Sequence, residues 1–152
     1  MAYSIRTAAR GDAESIHKLI KYYADQGVIL ERTMDDILDN ISNFLVAVSG
    51  DRIIGTATHY DYSESLKEIR SLAVDKEFHK AGIGKALLAE LVRRMSSETT
   101  AKIFTLTYRP DFLEKNGFIR VSKSEFPEKI WKDCFNCKDE VNCGETALIY
   151  KN

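Results

Sequence analysis

The sequence contains little of three features that would each have pointed to a particular class of protein. Its three cysteines, Cys134, Cys137 and Cys143, are few and odd in number, which makes a poor disulfide framework. No apolar run approaches the roughly 20 residues of a membrane-spanning helix. A net charge of −1, with no basic tail, argues against general binding to nucleic acid or to an anionic membrane.

What is present is typical of a globular protein, with 44% hydrophobic and 30% charged residues. A length of 152 residues corresponds to about one domain, so we expect a single domain over residues 1–152. No signal peptide opens the sequence, and the cytoplasm is therefore the expected location. The sequence leaves a homodimer open.

The cysteine spacing, Cys-x2-Cys-x5-Cys, raises the question of a zinc site with Asp139 or Glu145 as the fourth ligand. Structural zinc usually takes four Cys or His ligands, however, and all three histidines lie far away in the sequence. Reduced thiols in a C-terminal loop are therefore the favoured interpretation, and no metal is expected.

Hydrophobic periodicity predicts an α+β fold with one mixed sheet. The predicted strands are residues 3–8, 44–48, 52–62, 66–74, 102–107, 118–122 and 145–150. Helices are predicted after the N-cap candidates Asp12 and Thr33, over residues 82–97, and from Pro110 to Gly117. The strand–helix–strand unit over residues 66–107 should have a right-handed crossover.

The segment FHKAGIGKALL (residues 78–88) places two glycines at the start of an amphipathic helix, where glycine is normally unfavourable. It fails the P-loop pattern, because His79 stands where the first Gly belongs and Ala86 where a Ser or Thr should hold magnesium. It also fails the dinucleotide-binding fingerprint, whose third position here is Leu87.

One interpretation survives, in which backbone N–H groups at the helix start hold a diphosphate. Gly82 and Gly84 would let the phosphates approach the backbone with no Cβ in the way, and Lys80 and Lys85 would add positive charge. No magnesium ligand is evident, so the phosphates are expected to be held and not transferred. The alternative is that the glycines only permit close helix–sheet packing.

The longer segment EIRSLAVDKEFHKAGIGKALL (residues 68–88) resembles motif A of the GNAT (Gcn5-related) N-acetyltransferases, in which a strand leads into Arg/Gln-x-x-Gly-x-Gly/Ala at a helix start. His79 replaces the usual Arg or Gln, which we expect to weaken coenzyme binding without abolishing it. FLEKNGF (residues 112–118) resembles the second coenzyme motif of the family.

The resemblance implies a mixed, mostly antiparallel twisted sheet with helices on both faces, and acetyl-CoA as co-substrate. The pyrophosphate would lie on residues 80–85, and the pantetheine would pair like an extra strand with residues 72–74. The coenzyme-binding residues implied in this way are Leu72, Ala73, Val74, His79, Lys80, Ala81, Gly82, Ile83, Gly84, Lys85 and Phe112.

Several segments also resemble the short, single-domain N-acetylglutamate synthases of bacterial arginine biosynthesis. These segments are LERT, EIRSLAV, FTLTY, FLEKNGF, FPEKIWKDCFNC and the closing CGETA. The Trp-x-x-Cys-x-x-Cys part is uncommon among GNAT proteins, so it makes the cysteines a subfamily feature. The implied reaction is acetyl transfer to the α-amino group of an amino acid, glutamate first. Direct attack in a ternary complex is expected, because no cysteine lies near the coenzyme motif.

A protonated amine cannot attack a thioester, so the acceptor end of the site needs a base. Glu68 is the candidate, because strand alternation places it on one face with Arg70, whose guanidinium would hold a substrate carboxylate. Lys67, Ile69 and Ser71 would occupy the other face. The alternatives are a solvated ion pair in place of a catalytic one, and His59 in place of Glu68.

Leu113 stands where many GNAT enzymes have the tyrosine that protonates the leaving thiolate. Tyr108 is the candidate for that role, unless the thiolate leaves without an acid. The Leu72 or Val74 N–H would bind the thioester oxygen.

Acceptor carboxylates would bind Arg32 and Arg70, with Arg109 and Lys129 in reserve, although arginines and lysines are more often solvated surface charges. Two other functions stay open at this point. One is acetylation of a polyamine, an antibiotic or a protein N-terminus, and the other is a non-catalytic module that senses acetyl-CoA or regulates a partner.

Overall fold

The computed structural model describes residues 2–63, 66–98, 102–121 and 146–150. In this part of the chain the strands are β1 (Ser4–Thr7), β2 (Phe44–Ser49), β3 (Arg52–Ser63), β4 (Leu66–Val74), β5 (Lys102–Thr107), β6 (Phe118–Val121) and β7 (Thr146–Tyr150). The α-helices are α1 (Ala13–Ala24), α2 (Met34–Asp39), α3 (Ile83–Glu98) and α4 (Pro110–Glu114). Short 3-10 turns precede α1, β2 and α3.

The described strands form one seven-stranded sheet in the order β1-β2-β3-β4-β5-β7-β6. Neighbouring strands are antiparallel, except that β4 and β5, which α3 connects, run parallel. The predicted α+β class with a mixed, mostly antiparallel sheet is therefore confirmed.

Helices cover both faces of the sheet. This agrees with β2, which carries apolar side chains on both sides. Phe44 and Val46 pack with Ile16 and Ile20 of α1, whereas Leu45 and Ala47 belong to the core beneath α3. The residues predicted to form the apolar stripe of α3 are almost fully buried: Ile83, Leu87, Leu91 and Met95. Helix-period and strand-period patterns thus agree on where the core lies.

Gly55 allows α3 to lie close to the sheet, which the sequence reasoning missed. A Cβ on Gly55 would lie 2.9 Å from Leu87 Cδ1 and 3.1 Å from Ile83 Cγ2. The first distance is shorter than real Cβ contacts, so a larger side chain at this position of β3 would require Leu87 to shift.

The two predicted helix caps differ in outcome. Thr33 caps α2 as expected, since its Oγ1 accepts the Asp36 N–H at 3.1 Å. Asp12 does not cap α1, because the preceding 3-10 turn already holds it in a helical conformation with φ −88° and ψ −10°. Its carboxylate instead accepts the Ala9 N–H at 2.8 Å and pairs with Arg6 at 2.7 Å. The predicted fourth helix ends at Glu114, before Gly117.

Several residues of the sequence analysis lie outside the described part of the chain. They are Lys129, the three cysteines, and the two residues considered as a fourth zinc ligand.

Candidate active site

A cleft opens near the middle of the sheet, where β4 and β5 separate. Their parallel pairing ends at Ile69 and Thr105, while β5 stays beside β7. The cleft has a volume of about 750 Å³. Its walls are the second half of β4, the start of α3, the ends of β5 and α4, and the segment 28–32 between α1 and α2. Within the described part of the chain, β4 has no partner strand on this side beyond Ile69, so an extended ligand can bind like an added strand.

Ser71 interrupts the alternation of β4 at the point where the cleft begins. From Thr56 to Thr58 β3 advances two residues, whereas β4 advances three between Ala73 and Arg70. Ser71 accommodates the extra residue with a φ of 54°, in the left-handed region that non-glycine residues rarely adopt. Ser71 consequently lines the cleft together with Arg70, although alternation had placed the two side chains on opposite faces.

The glycines at the start of α3 are not required by packing. Gly82 has a φ of 76° and connects the 3-10 turn Lys76–Ala81 to the helix. A Cβ there would meet no atom within 4 Å. A Cβ on Gly84 would lie 3.5 Å from the Phe112 ring and 3.6 Å from Val74, which are ordinary contacts. Both glycines line the cleft, and packing requires neither of them. The positive φ favours glycine at position 82 in any case, whereas at position 84 a close-approaching ligand remains as the explanation.

Backbone donors and positive charge meet at this end of the cleft. The Ala86 N–H donates to Gly82 O at 3.0 Å and so begins the hydrogen-bond ladder of α3. The N–H groups of residues 83–85 precede that bond and carry the partial positive charge of the helix start. Lys85 lines the cleft beside them. The arrangement suits a diphosphate.

The predicted coenzyme-binding residues divide into two groups. Most of them line the cleft: Leu72, Ala73, Val74, His79, Gly82, Gly84, Lys85 and Phe112. The Ile83 side chain is buried beneath α3, so this residue can contribute only its backbone. Ala81 is exposed and outside the lining, and the side chain of Lys80 lies outside what the structure describes.

Arg52 holds the turn before α3 against the sheet. Its guanidinium pairs with Asp75 at 2.8 Å and with Glu77 at 3.1 Å, and it lies 5.4 Å from the centre of the Phe78 ring. Hydrogen bonds to the two carboxylates raise the pKa of Arg52. Asp75 also caps the turn by accepting the Glu77 N–H at 3.0 Å. These contacts hold the turn before α3, and with it the backbone that faces the cleft.

Glu68 and Arg70 lie side by side in the cleft, and Tyr62 joins them. Arg70 Nε donates to Glu68 Oε1 at 2.7 Å, and the Tyr62 hydroxyl donates to the same oxygen at 2.9 Å. Arg70 Nη2 donates to the Tyr62 oxygen at 2.7 Å, so each of the three side chains is hydrogen-bonded to the other two. The Glu68 side chain is 7% exposed, so this pair is not the solvated surface pair considered as the alternative.

Sequence reasoning missed Tyr62. In the β3–β4 hairpin Tyr60 pairs with Glu68 and so shares the face of the carboxylate, and Tyr62 lies at the irregularity of β3 between Asp61 and Ser63. The Arg70 guanidinium lies 4.5 Å from the centre of the Tyr60 ring and 5.8 Å from that of Tyr62. Two aromatic rings and a carboxylate therefore hold the arginine in place.

Arg32, from the segment LERT, lies on the wall of the cleft formed by residues 28–32. Its guanidinium makes two hydrogen bonds with Asp36, at 2.9 and 3.2 Å, and rests 5.1 Å from the centre of the Phe44 ring. Arg32 Nη1 lies 3.4 Å from Ser71 Oγ, so the arginine joins the 28–32 segment to the bulge of β4. Its charge is balanced by Asp36, and its side chain is 11% exposed.

Three further candidates differ in position. Arg109 lines the cleft, whereas Tyr108 is 36% exposed and not part of the described lining. His59 pairs with Ile69 across the hairpin, so it lies on the sheet face opposite to Glu68, and its Nδ1 is 2.7 Å from Asp61 Oδ1. The geometry therefore does not support His59 as an alternative base.

Among the described residues, no group of three or more His, Cys, Asp or Glu side chains is arranged to hold a metal ion. No helix in the same part of the chain is long and apolar enough to cross a membrane.

Comparison with known proteins identifies the family. Residues 40–120 match the family model described as acetyltransferase (GNAT) domain. An uncharacterised N-acetyltransferase of Chlorobaculum tepidum is 36% identical over 145 residues, which cover 95% of this chain and 94% of that protein. The amino-acid acetyltransferase of Neisseria meningitidis serogroup A is 30% identical over 132 residues, which are 86% of this chain but 30% of that longer protein.

A solved structure gives the same result. N-acetylglutamate synthase from Neisseria gonorrhoeae, complexed with coenzyme A and N-acetyl-glutamate, is similar with a TM-score of 0.88 and 27% identity, over 99% of this chain and 35% of that one. The chain belongs to the GNAT family of acetyltransferases. Its activity is accordingly acetyl-CoA-dependent N-acetyl transfer, and the family prediction from the sequence is confirmed.

Proposed function

We propose that the protein transfers the acetyl group of acetyl-CoA to the α-amino group of an amino acid, L-glutamate first. The observation that carries the proposal is the shared cleft, in which a carboxylate–guanidinium pair lies on the same strand as the coenzyme-facing backbone. Relatives of the chain give further support, since they include amino-acid acetyltransferases and an N-acetylglutamate synthase. With glutamate as acceptor, the reaction would be the first step of arginine biosynthesis.

The coenzyme would occupy the end of the cleft at the start of α3. Its pyrophosphate would accept hydrogen bonds from the N–H groups of residues 82–85, with Lys80 and Lys85 nearby. Its pantetheine would lie along residues 72–74, where β4 lacks a described partner strand. The thioester would then lie near the bulge at Ser71, with the Leu72 or Val74 N–H as donor to its oxygen.

Glu68 would act as the general base, directly or through a water molecule. It would take a proton from the acceptor ammonium, and the neutral amine would attack the thioester carbon. A C–N bond forms, the attacking nitrogen gives up its second proton to solvent, the C–S bond breaks, and coenzyme A leaves as a thiolate. The thiolate would be protonated by solvent or by Tyr108, which lies between the lining residues Thr107 and Arg109. The transfer is direct, in a ternary complex.

The acceptor would lie between the Glu68–Arg70 pair and the wall formed by residues 28–32. The guanidinium groups of Arg32 and Arg70 would each contact an acceptor carboxylate. Because Asp36 and Glu68 already balance these two charges, Arg109 is a further candidate for the second carboxylate of glutamate. The single-domain organisation, the cytoplasmic location and a homodimer stay predictions from the sequence.

The test is an acceptor panel. Thiol release from acetyl-CoA would be followed with L-glutamate, L-aspartate, L-glutamine, other amino acids, a polyamine and a peptide with a free N-terminus. We expect release with amino acids and the highest kcat/KM with glutamate. Release with the polyamine or the peptide, and none with amino acids, would contradict the proposal. Tight coenzyme binding with no release for any acceptor would contradict it as well.

A further inference from the structure

The carbonyl group of Val74, at the end of β4, faces the cleft. The next residue, Asp75, donates its N–H to Ile54 O of β3 at 2.8 Å. Polar groups of successive strand residues point to opposite sides, so those of Val74 point away from β3 and into the gap beside β5. A ligand that extends along β4 therefore meets this carbonyl.

Two side chains from different elements already bind this oxygen. Tyr23 of α1 donates its hydroxyl hydrogen to Val74 O, and His79 Nε2 lies 3.0 Å from the same atom. Since a carbonyl only accepts, the second contact requires a hydrogen on Nε2. The Tyr23 hydroxyl and His79 Nε2 also contact each other, and their rings stack with centroids 6.0 Å apart. Tyr23 and His79 are together called the latch below.

The latch joins the two sides of the cleft. Tyr23 is only 8% exposed, and burial raises its pKa, so the hydroxyl keeps its hydrogen at neutral pH. The backbone carbonyl of Tyr23 accepts the Val28 N–H at 3.2 Å, so Tyr23 lies directly before the 28–32 segment that forms the acceptor wall. His79 belongs to the turn that leads into α3.

We infer that the latch competes with the coenzyme for the Val74 carbonyl, so that Tyr23 sets coenzyme affinity. The inference rests on the proposed pairing of pantetheine with residues 72–74. A carbonyl oxygen offers two lone pairs, and the two latch contacts use them. A pantetheine amide can bind this oxygen only after a latch hydrogen bond breaks.

Calorimetric titration with coenzyme A tests the latch. The proteins would be the wild type, Tyr23→Phe, and Tyr22→Phe as the matched control, since Tyr22 is the neighbouring tyrosine and is 44% exposed. Removing one competing hydrogen bond should tighten binding by Tyr23→Phe about two- to tenfold. Tyr22→Phe should bind like the wild type. A purely structural role for Tyr23 predicts the opposite sign, so equal or weaker binding by Tyr23→Phe would overturn the inference.

Thermal unfolding gives a second readout. Tyr23→Phe should melt below the wild type without ligand and at the same temperature as the wild type with saturating coenzyme A, because the deleted bond is absent from the complex. An equal lowering in both states would overturn the latch.

If Tyr23→Phe does not fold, the wild-type structure with coenzyme A decides. Tyr23 Oη should then lie beyond hydrogen-bond distance from Val74 O, and an intact latch in that complex would overturn the inference. A wild type that does not bind coenzyme A would overturn both the latch and the proposed function. Binding by the wild type with an intact latch would overturn the latch alone.

Discussion

A methyl group at Gly84 should affect folding and coenzyme binding in opposite directions. It would lie 3.5 Å from the Phe112 ring and 3.6 Å from Val74, so it fits without displacing either side chain. Within a helix, glycine is less favourable than alanine by roughly 0.5–1 kcal/mol, so Gly84→Ala should stabilise the protein by about that amount. For a chain of 152 residues this corresponds to a rise of roughly 1–4 °C in melting temperature.

The same methyl group would stand where the diphosphate approaches the backbone of α3. Hydrogen bonds to charged groups contribute roughly 1.5–3 kcal/mol each, so losing one should raise the Kd of coenzyme A about tenfold or more. Thermal unfolding measures the first effect, and calorimetric titration with coenzyme A measures the second.

Gly11→Ala is the matched control, because a Cβ there meets no atom within 4 Å and Gly11 does not line the cleft. It should change stability alone. A Gly84→Ala protein that is more stable and binds coenzyme A as tightly as the wild type would refute the assignment of this loop.

Three further predictions concern the acid–base groups. Glu68→Gln should lower turnover roughly 100-fold or more while leaving the Kd of acetyl-CoA within about twofold, and an unchanged rate would remove Glu68 from the mechanism. Tyr62→Phe removes the hydroxyl that Glu68 and Arg70 share, so turnover should fall about tenfold, whereas Tyr60→Phe keeps its ring against Arg70 and should stay near the wild type. Hydrogen bonds from two neighbouring arginines lower the pKa of Glu90 from 4.5 to about 2. A lowered carboxyl pKa gives stability that is present above the ordinary value and lost as the pH falls towards 2, so Glu90→Gln should make thermal unfolding less pH-dependent in that range. The change should be small because the ion pairs of Glu90 with the two arginines are partly solvent-exposed. Parallel curves of melting temperature against pH for the two proteins would contradict the prediction.

Regular elements were the part of the fold that the sequence could predict. The spacing of Ile83, Leu87, Leu91 and Met95 identifies the buried stripe of α3, and alternation identifies the strands. The pairing of Glu68 with Arg70 followed from the same alternation, because the two residues are separated by one position. Local periodicity is sufficient wherever a residue's surroundings depend on its own element.

Contacts between elements were harder to predict. Tyr62 joins Glu68 only through the hairpin register, and Tyr23 reaches Val74 across 51 positions of the sequence. Neither contact is encoded in a local sequence pattern. The bulge at Ser71 also escaped prediction, because a serine with positive φ is not favoured by its own side chain and is imposed by strand pairing. The capping role of Asp12 failed for a similar reason, since a preceding turn took over its carboxylate.

The central claim is that the backbone at the start of α3 holds a diphosphate and thereby places an acetyl thioester beside Glu68. The structure of the protein crystallised with coenzyme A tests it most directly. The account predicts phosphate oxygens within hydrogen-bond distance of the N–H groups of residues 82–85, and the sulfur in the cleft beside Ser71. Phosphates bound elsewhere, with the start of α3 facing solvent, would contradict it.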